Sequence, residues 1–178
     1  MEEDRLTYTF RFCPRCGSGS PDRSRRDRID CQGCGYQQFV TPVVAVGGLI
    51  CDDDGRVLLI RRSRDPGKGM LGVPGGFVDV GETAEEAVRR ETQAEVGLDL
   101  SEWTYLTSHP NRYVYQGVAR PVLDLFFTAR AVSLQPLAAL DGVAEVLFLA
   151  PVDICLADVA FESIRRALRV WAGQSAAA

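Results

Sequence analysis

Gly76-Phe77-Val78-Asp79-Val80-Gly81-Glu82, followed after seven residues by Arg90-Glu91-Thr92-Gln93-Ala94-Glu95-Val96-Gly97-Leu98, joins a glycine loop to a helix. Thr83 and Glu86 have capping-box spacing, which starts the helix, and Gly97 is a natural C-cap. Glu91 and Glu95 lie four residues apart. On a helix they share a face, about 6 Å apart along the axis. Two carboxylates aimed at one point suit a hard divalent cation such as Mg²⁺. Glycines beside them let a backbone carbonyl or a phosphate approach closely. Glutamates at this spacing are also common on solvated helices, where they make only surface pairs. The adjoining glycine loop and the Arg90-Glu91 pair favour metal-assisted chemistry on a phosphate ester or anhydride.

The segment resembles the Nudix box, G-x5-E-x7-R-E-U-x-E-E-x-G-U, where U is a bulky aliphatic residue. Gly76, Glu82, Arg90, Glu91, Glu95, Gly97 and Leu98 stand at the required positions. Thr92 replaces the aliphatic residue, and Ala94 replaces the first glutamate of the Glu-Glu pair. The resemblance implies an α/β fold, an α/β/α sandwich around a mixed sheet. It implies catalytic roles for Glu82, Arg90 and Glu91, with Arg90 fixing the carboxylates. It implies Mg²⁺ or Mn²⁺ on Glu91, Glu95 and the Gly75 carbonyl. Asp141 and Glu145 are the candidates for a further carboxylate in place of the one lost at Ala94. Arg61 and Arg62, ending a strand near the loop, are candidate clamps for substrate phosphates, with Gly76 alongside.

Cys13-Pro14-Arg15-Cys16 and Cys31-Gln32-Gly33-Cys34 form two C-x2-C pairs, each followed by glycine (Gly17, Gly35). Four thiolates so spaced predict a closed structural zinc site. Residues 1–38 are too few to build their own core, so the metal must hold them together. Residues 39–173 form the main domain and 174–178 a frayed tail. The run Asp22-Arg23-Ser24-Arg25-Arg26-Asp27-Arg28 reads as a solvated loop between ribbon strands, with nucleic-acid contact as the alternative.

A four-cysteine ribbon before a Nudix domain resembles the branch containing NADH pyrophosphatases and enzymes acting on ADP-ribose or FAD. NADH pyrophosphatases carry Ser-Gln-Pro-Trp-Pro-Phe-Pro after the box. This chain has Ser108-His109-Pro110-Asn111-Arg112-Tyr113 instead, so strict NADH specificity is not implied. The resemblance points to hydrolysis of a nucleoside diphosphate linked to another group, giving two monophosphates. The alternatives are a weakened Nudix fold that senses a nucleotide, for which Ala94 speaks, and an RNA-cap hydrolase. It also suggests a homodimer. Phe39, Tyr113 and Tyr115 either stack on an adenine or pack at the domain junction. His109, the single histidine, is either a proton shuttle, a substrate contact or a loop residue without a role.

Among 178 residues, 46% are hydrophobic and 25% charged, as in ordinary globular proteins. The net charge of −4 argues against a general nucleic-acid binder. No run approaches the ~20 apolar residues of a membrane span. The acidic start, Met1-Glu2-Glu3-Asp4, does not read as a secretory signal, and a cytoplasmic location is expected. Val43–Ile50 and Val57–Arg61 read as a hairpin joined by a solvated turn at Asp52–Gly55. Trp103–Ser108, Val122–Arg130 and Glu145–Leu149 read as further strands, and His109–Gly117 as a loop. Phe161, Ile164, Leu168 and Trp171 recur at helical spacing. Cys51 and Cys155, among apolar residues, read as small buried hydrophobes.

Overall fold

The computed structural model describes residues 10–131 and 135–175. The acidic N-terminus and the last three residues of the expected tail fall outside them. The chain divides into two compact units. One holds the described residues up to Val43 together with Arg112–Val122; the other holds Val44–Asn111 and Leu123 onward.

In the second unit the decisive pattern is period two. Strand β3 (Val43–Cys51) is followed by β4 (Val57–Arg62). Val57, Leu59 and Leu49 pack in one cluster with Ile164, Ala167, Leu168 and Trp171 of the C-terminal helix α2 (Glu162–Ser175). Their neighbours Leu58, Ile60 and Ile50 pack in another with Val96, at the end of helix α1 (Ala84–Val96), and with Leu98. Phe126 and Phe127 of β7 (Val118–Arg130) divide between the α2 side and the α1 side in the same way. Successive residues of a strand face opposite sides of a sheet. Each strand therefore supplies two cores, one under each helix, and the result is an α/β/α sandwich.

The sheet runs β5-β4-β3-β7-β6, with β8 (Val143–Leu149) paired to β4. Strand β5 is the short piece Leu71–Gly72. The β4–β8 pairing is antiparallel and sets Arg61 opposite Glu145, with a bulge between Arg61 and Arg62. Leu71 and Val159 form a parallel bridge. No helix among the described residues is long and apolar enough to cross a membrane.

Three expectations are corrected. His109–Gly117 is not a loop: β6 runs from Thr104 to Tyr115 and turns back through Gln116 and Gly117, both at positive φ (49° and 76°). That is the backbone of a two-residue hairpin. Pro110 is tolerated because β6 ends the strand order, where a missing N–H breaks no central ladder. The Asp52–Gly55 turn is not solvated at its root. Asp52 is buried; its Oδ1 accepts the N–H groups of Asp54 and Arg56, and its Oδ2 the Arg56 guanidinium. Cys155 is exposed and so is not a buried hydrophobe, whereas Cys51 is half-buried and packs against the α2-side core.

In the first unit, β1 (Arg28–Asp30) and β2 (Gln37–Phe39) form an antiparallel pair. Gly17 N–H bonds to the Cys13 carbonyl and Gly35 N–H to the Cys31 carbonyl, each glycine at a φ near +70°. These equivalent turns need the left-handed conformation that glycine adopts without strain.

Candidate active site

The loop before α1 is pressed onto β3. Gly48 N–H donates to the Pro74 carbonyl, Val46 N–H to Gly76, and Val78 N–H to Val44. A Cβ on Gly75 would lie 2.1 Å from the Val46 carbonyl oxygen, and one on Gly76 would lie 2.4 Å from Glu91 Oε1. Backbone blocks any other residue at Gly75, and a side chain at Gly76 would displace the Glu91 carboxylate.

Helix α1 is built as the sequence predicts. The Thr83 side chain accepts from Glu86 N–H, the Glu86 carboxylate accepts from Thr83 N–H, and Gly97 caps the other end in the left-handed conformation. Ala87, Val88, Thr92 and Val96 are buried, which turns Glu91 and Glu95 toward the glycine loop. Gly75 N–H donates to Glu95 Oε2 at 2.9 Å. The same helix C-terminus is closed by the loop carrying Asp141: Leu140 N–H donates to the Glu95 carbonyl at 3.0 Å.

Arg90 ties the site together. Its Nε and Nη2 donate to the two Glu82 carboxylate oxygens, both at 2.8 Å, and its Nη1 donates to Glu91 Oε1 at 2.7 Å. Nη2 also reaches the Phe77 carbonyl at 3.0 Å. A planar guanidinium suits such a fork, and an ammonium does not. The bonds to Arg90, then that from Asp79 N–H, hold the Glu82 carboxyl at about 2. Arg90 is in turn raised above its usual value, chiefly by Glu82. Glu95 goes the other way. Burial pushes its carboxyl up to about 7, against the Gly75 hydrogen bond, with Glu91 adding like-charge repulsion.

The glycine loop and α1 thus bring together Gly75, Gly76, Glu82, Arg90, Glu91 and Glu95. The other candidates have partners of their own, although Arg62 and Asp141 also act electrostatically on Glu95. Arg61 pairs with Glu145 at 2.8 Å, as the strand register dictates, and donates to the Gly69 carbonyl. Arg64 pairs with Asp141 at 2.7 Å. Arg62 donates to the Pro66 carbonyl and lies 5.2 Å from the centre of the Phe161 ring. Phe39 and Tyr113 belong to the first unit. Ala94 is exposed and brings no ligand. Among the described residues the four cysteines are the group of three or more metal-ligating side chains near enough to share an ion; Glu91 and Glu95 remain a pair.

Those four sulfurs lie within 4.8 Å of one another, with Cys13–Cys34 at 3.8 Å and Cys16–Cys31 at 3.7 Å. Burial pushes the Cys13 thiol up, but N–H groups of Cys16 and Arg15 and the neighbouring thiols outweigh it, leaving Cys13 at about 6.

A polar cluster in the α2-side core was not anticipated from the sequence. Asp124 is buried and its Oδ2 accepts from Ser163 Oγ (2.5 Å) and Asn111 Nδ2 (2.8 Å). His109 stands on the same strand as Asn111, with Thr107 Oγ1 3.4 Å from its Nε2 and the Phe126 ring beside it. The one available signal was the charge inside the apolar run Leu123-Asp124-Leu125.

A family model described as NUDIX domain matches residues 41–169, most of the chain. The chain belongs to the Nudix family. Within it, a Methanocaldococcus jannaschii protein named ADP-ribose pyrophosphatase is 51% identical over 63 residues, covering 35% of this chain and 37% of that one. A Haemophilus influenzae protein named NAD-capped RNA hydrolase NudC is 31% identical over 113 residues, covering 62% of this chain and 42% of that one. The matches span less than half the length of these curated relatives. A Nudix hydrolase structure from Nitrosomonas europaea shares the fold, with a TM-score of 0.70 over 94% of this chain and 93% of that one at 21% identity.

Proposed function

We propose that this Nudix domain hydrolyses the pyrophosphate bridge of a nucleoside diphosphate linked to another group. ADP-ribose or a dinucleotide such as NADH or FAD is the substrate class, and two monophosphates are the products. The observation that carries the reading is the glycine loop closed on a carboxylate pair, one member braced by Arg90 and the other half-buried against the Gly75 N–H. A divalent cation is what would favour the ionised form of Glu95. Two carboxylates and a backbone carbonyl make an all-oxygen donor set, as Mg²⁺ or Mn²⁺ prefers. Glu91, Glu95 and the Gly75 carbonyl would hold the ion, which when bound neutralises phosphate charge and acidifies water. Arg90 fixes Glu91 and Glu82 so that neither must reorganise during the reaction. The names of the two relatives support the substrate class.

Four thiolates around zinc at ~2.3 Å stand about 3.8 Å apart. The observed 3.8 and 3.7 Å support zinc in the ribbon. The six cysteines, none of them in a disulfide, fit a reducing, cytoplasmic compartment, and pairing into a homodimer is part of the proposal.

Incubation with ADP-ribose, NADH and FAD, with Mg²⁺ or Mn²⁺, tests the reading. Chromatography should show two monophosphates from at least one of them. Tight binding without any product would instead favour the sensor reading, to which the missing carboxylate at Ala94 belongs.

A further inference from the structure

The second unit holds a buried carboxyl for which the Glu91–Glu95 chemistry has no use. Asp124 is 8% exposed and bonds to the second residue of α2. Its hydrogen bonds among the described residues fall on one oxygen: Ser163 Oγ and Asn111 Nδ2 both donate to Oδ2. Two donors fill the two acceptor sites of that atom. Oδ1 receives no hydrogen bond from a described residue, yet it is not sealed; the sealed side-chain atoms without a partner are Asp30 Oδ1 and Thr92 Oγ1. Oδ1 therefore faces an opening. Burial pushes the Asp124 carboxyl up, and Ser163, Asn111 and then His109 hold it back. A polar clasp between two strands and a helix needs no spare oxygen, and a half-served carboxylate beside a core costs stability.

Contacts lead from this cluster back to the candidate active site. The Arg62 guanidinium acts on Glu95 and lies over the Phe161 ring, 5.2 Å from its centre. Phe161 opens α2, its carbonyl accepting the Arg165 N–H, and Ser163 stands two residues on. Glu95, Arg62, Phe161, Ser163 and Asp124 all belong to the second unit. The side chains of Arg62 and Phe161 thus stand between Glu95 and the Ser163–Asp124 pair. A ligand whose phosphates sit at Glu95 reaches Asp124 only with its far end. In a nucleoside diphosphate that end is the base, because the ribose lies next to the phosphates.

One open acceptor selects among bases. Guanine offers a carboxylate two adjacent N–H groups and needs both oxygens to be open. Adenine offers a single amine, and hypoxanthine has a carbonyl at that position. We infer that Asp124, its Oδ2 held by Ser163 and Asn111, is the base-reading group of this site and accepts the exocyclic amine of adenine on Oδ1. The inference rests on the proposed reading of Glu91 and Glu95 as the phosphate end and adds the specificity, an adenine nucleotide. A buried acceptor discriminates strongly, because the wrong base leaves it unpaired.

Isothermal titration calorimetry of the full chain with AMP and with IMP, in Mg²⁺ at pH 8 to keep Asp124 ionised, tests it. Neither nucleotide has an anhydride, so the outcome does not depend on turnover. AMP should bind roughly 10- to 100-fold more tightly than IMP, the difference expected of one hydrogen bond to a charged group. Asp124→Asn preserves the shape of the side chain. With its amide oxygen toward Ser163 and Asn111, its NH₂ group takes the place of Oδ1, so the preference for AMP should be lost or inverted. An Asp124 that only holds the fold together would lower both affinities alike and leave their ratio unchanged. The melting profile verifies that the variant is folded; if it is not, the wild-type ratio alone decides. Equal affinity of the wild type for AMP and IMP would overturn the inference. So would no binding of AMP, or a folded Asp124→Asn protein with the wild-type ratio. A clear AMP preference in a chain that hydrolyses none of ADP-ribose, NADH and FAD would uphold the role of Asp124 and remove the hydrolase reading instead.

Discussion

Glu95→Gln should stabilise the magnesium-free protein, and more at pH 8 than at pH 5. In the fold the Glu95 carboxyl is pushed from its ordinary 4.5 to about 7, first by burial. The folded chain therefore holds a proton that the unfolded chain releases. Below pH 4.5 both states are protonated and no stability is lost. As pH rises from 4.5 toward 7 the unfolded state gains, and stability falls. That displacement corresponds to an upper limit of about 3 kcal/mol at pH 8, and about 1 kcal/mol at pH 5. Glutamine keeps the acceptor for Gly75 N–H and has no proton to lose. For a chain of this size the gain at pH 8 amounts to roughly 5–10 °C in Tm. Thermal unfolding followed through Trp103 and Trp171 fluorescence, in buffer free of Mg²⁺, measures it at both pH values. Adding Mg²⁺ should raise the wild-type Tm at pH 8 and leave Glu95→Gln unmoved. A glutamine variant that melts at or below the wild type at pH 8 would refute the reasoning, because the surroundings of Glu95 would then not disfavour its ionised form.

Thr92→Val should stabilise by about 1 kcal/mol, because the Thr92 hydroxyl is fully buried with no hydrogen-bond partner among the described residues; urea unfolding reads this, and a loss of stability would contradict it. Arg90→Lys keeps the charge but loses the fork to Glu82 and Glu91, so kcat/KM should fall about 10- to 100-fold. The same variant should bring the Glu82 carboxyl back up from about 2, readable by NMR titration. Cys31→Ser should remove bound zinc, measured by metal analysis, and with it the hydrogen-exchange protection of β1 and β2; protection that survives would show a ribbon held by its own packing.

What was legible in the sequence was local. The Thr83–Glu86 cap, the Gly97 stop, the two cysteine knuckles and the Gly76–Glu91 proximity all depend on residues near one another in the chain. The Arg61–Glu145 pair depends on strand register across 84 residues, which no spacing rule supplies. The same holds for Asp124, whose partners Asn111 and Ser163 come from an adjacent strand and from α2. His109–Gly117 misled because Pro110, Asn111 and Gly117 are ordinary loop residues. At the end of a sheet, a proline costs nothing and the glycine serves the turn. The first unit was hidden for a different reason: it is discontinuous, and only the fold joins residues 112–122 to the cysteine segment.

Product analysis with ADP-ribose tests the central claim most directly. Wild-type protein with Mg²⁺ or Mn²⁺ should release AMP and ribose 5-phosphate, and Glu91→Gln should lose that activity while retaining the wild-type melting profile. Turnover that persists undiminished in Glu91→Gln, or that needs no divalent ion, would contradict the assignment of chemistry to this carboxylate pair.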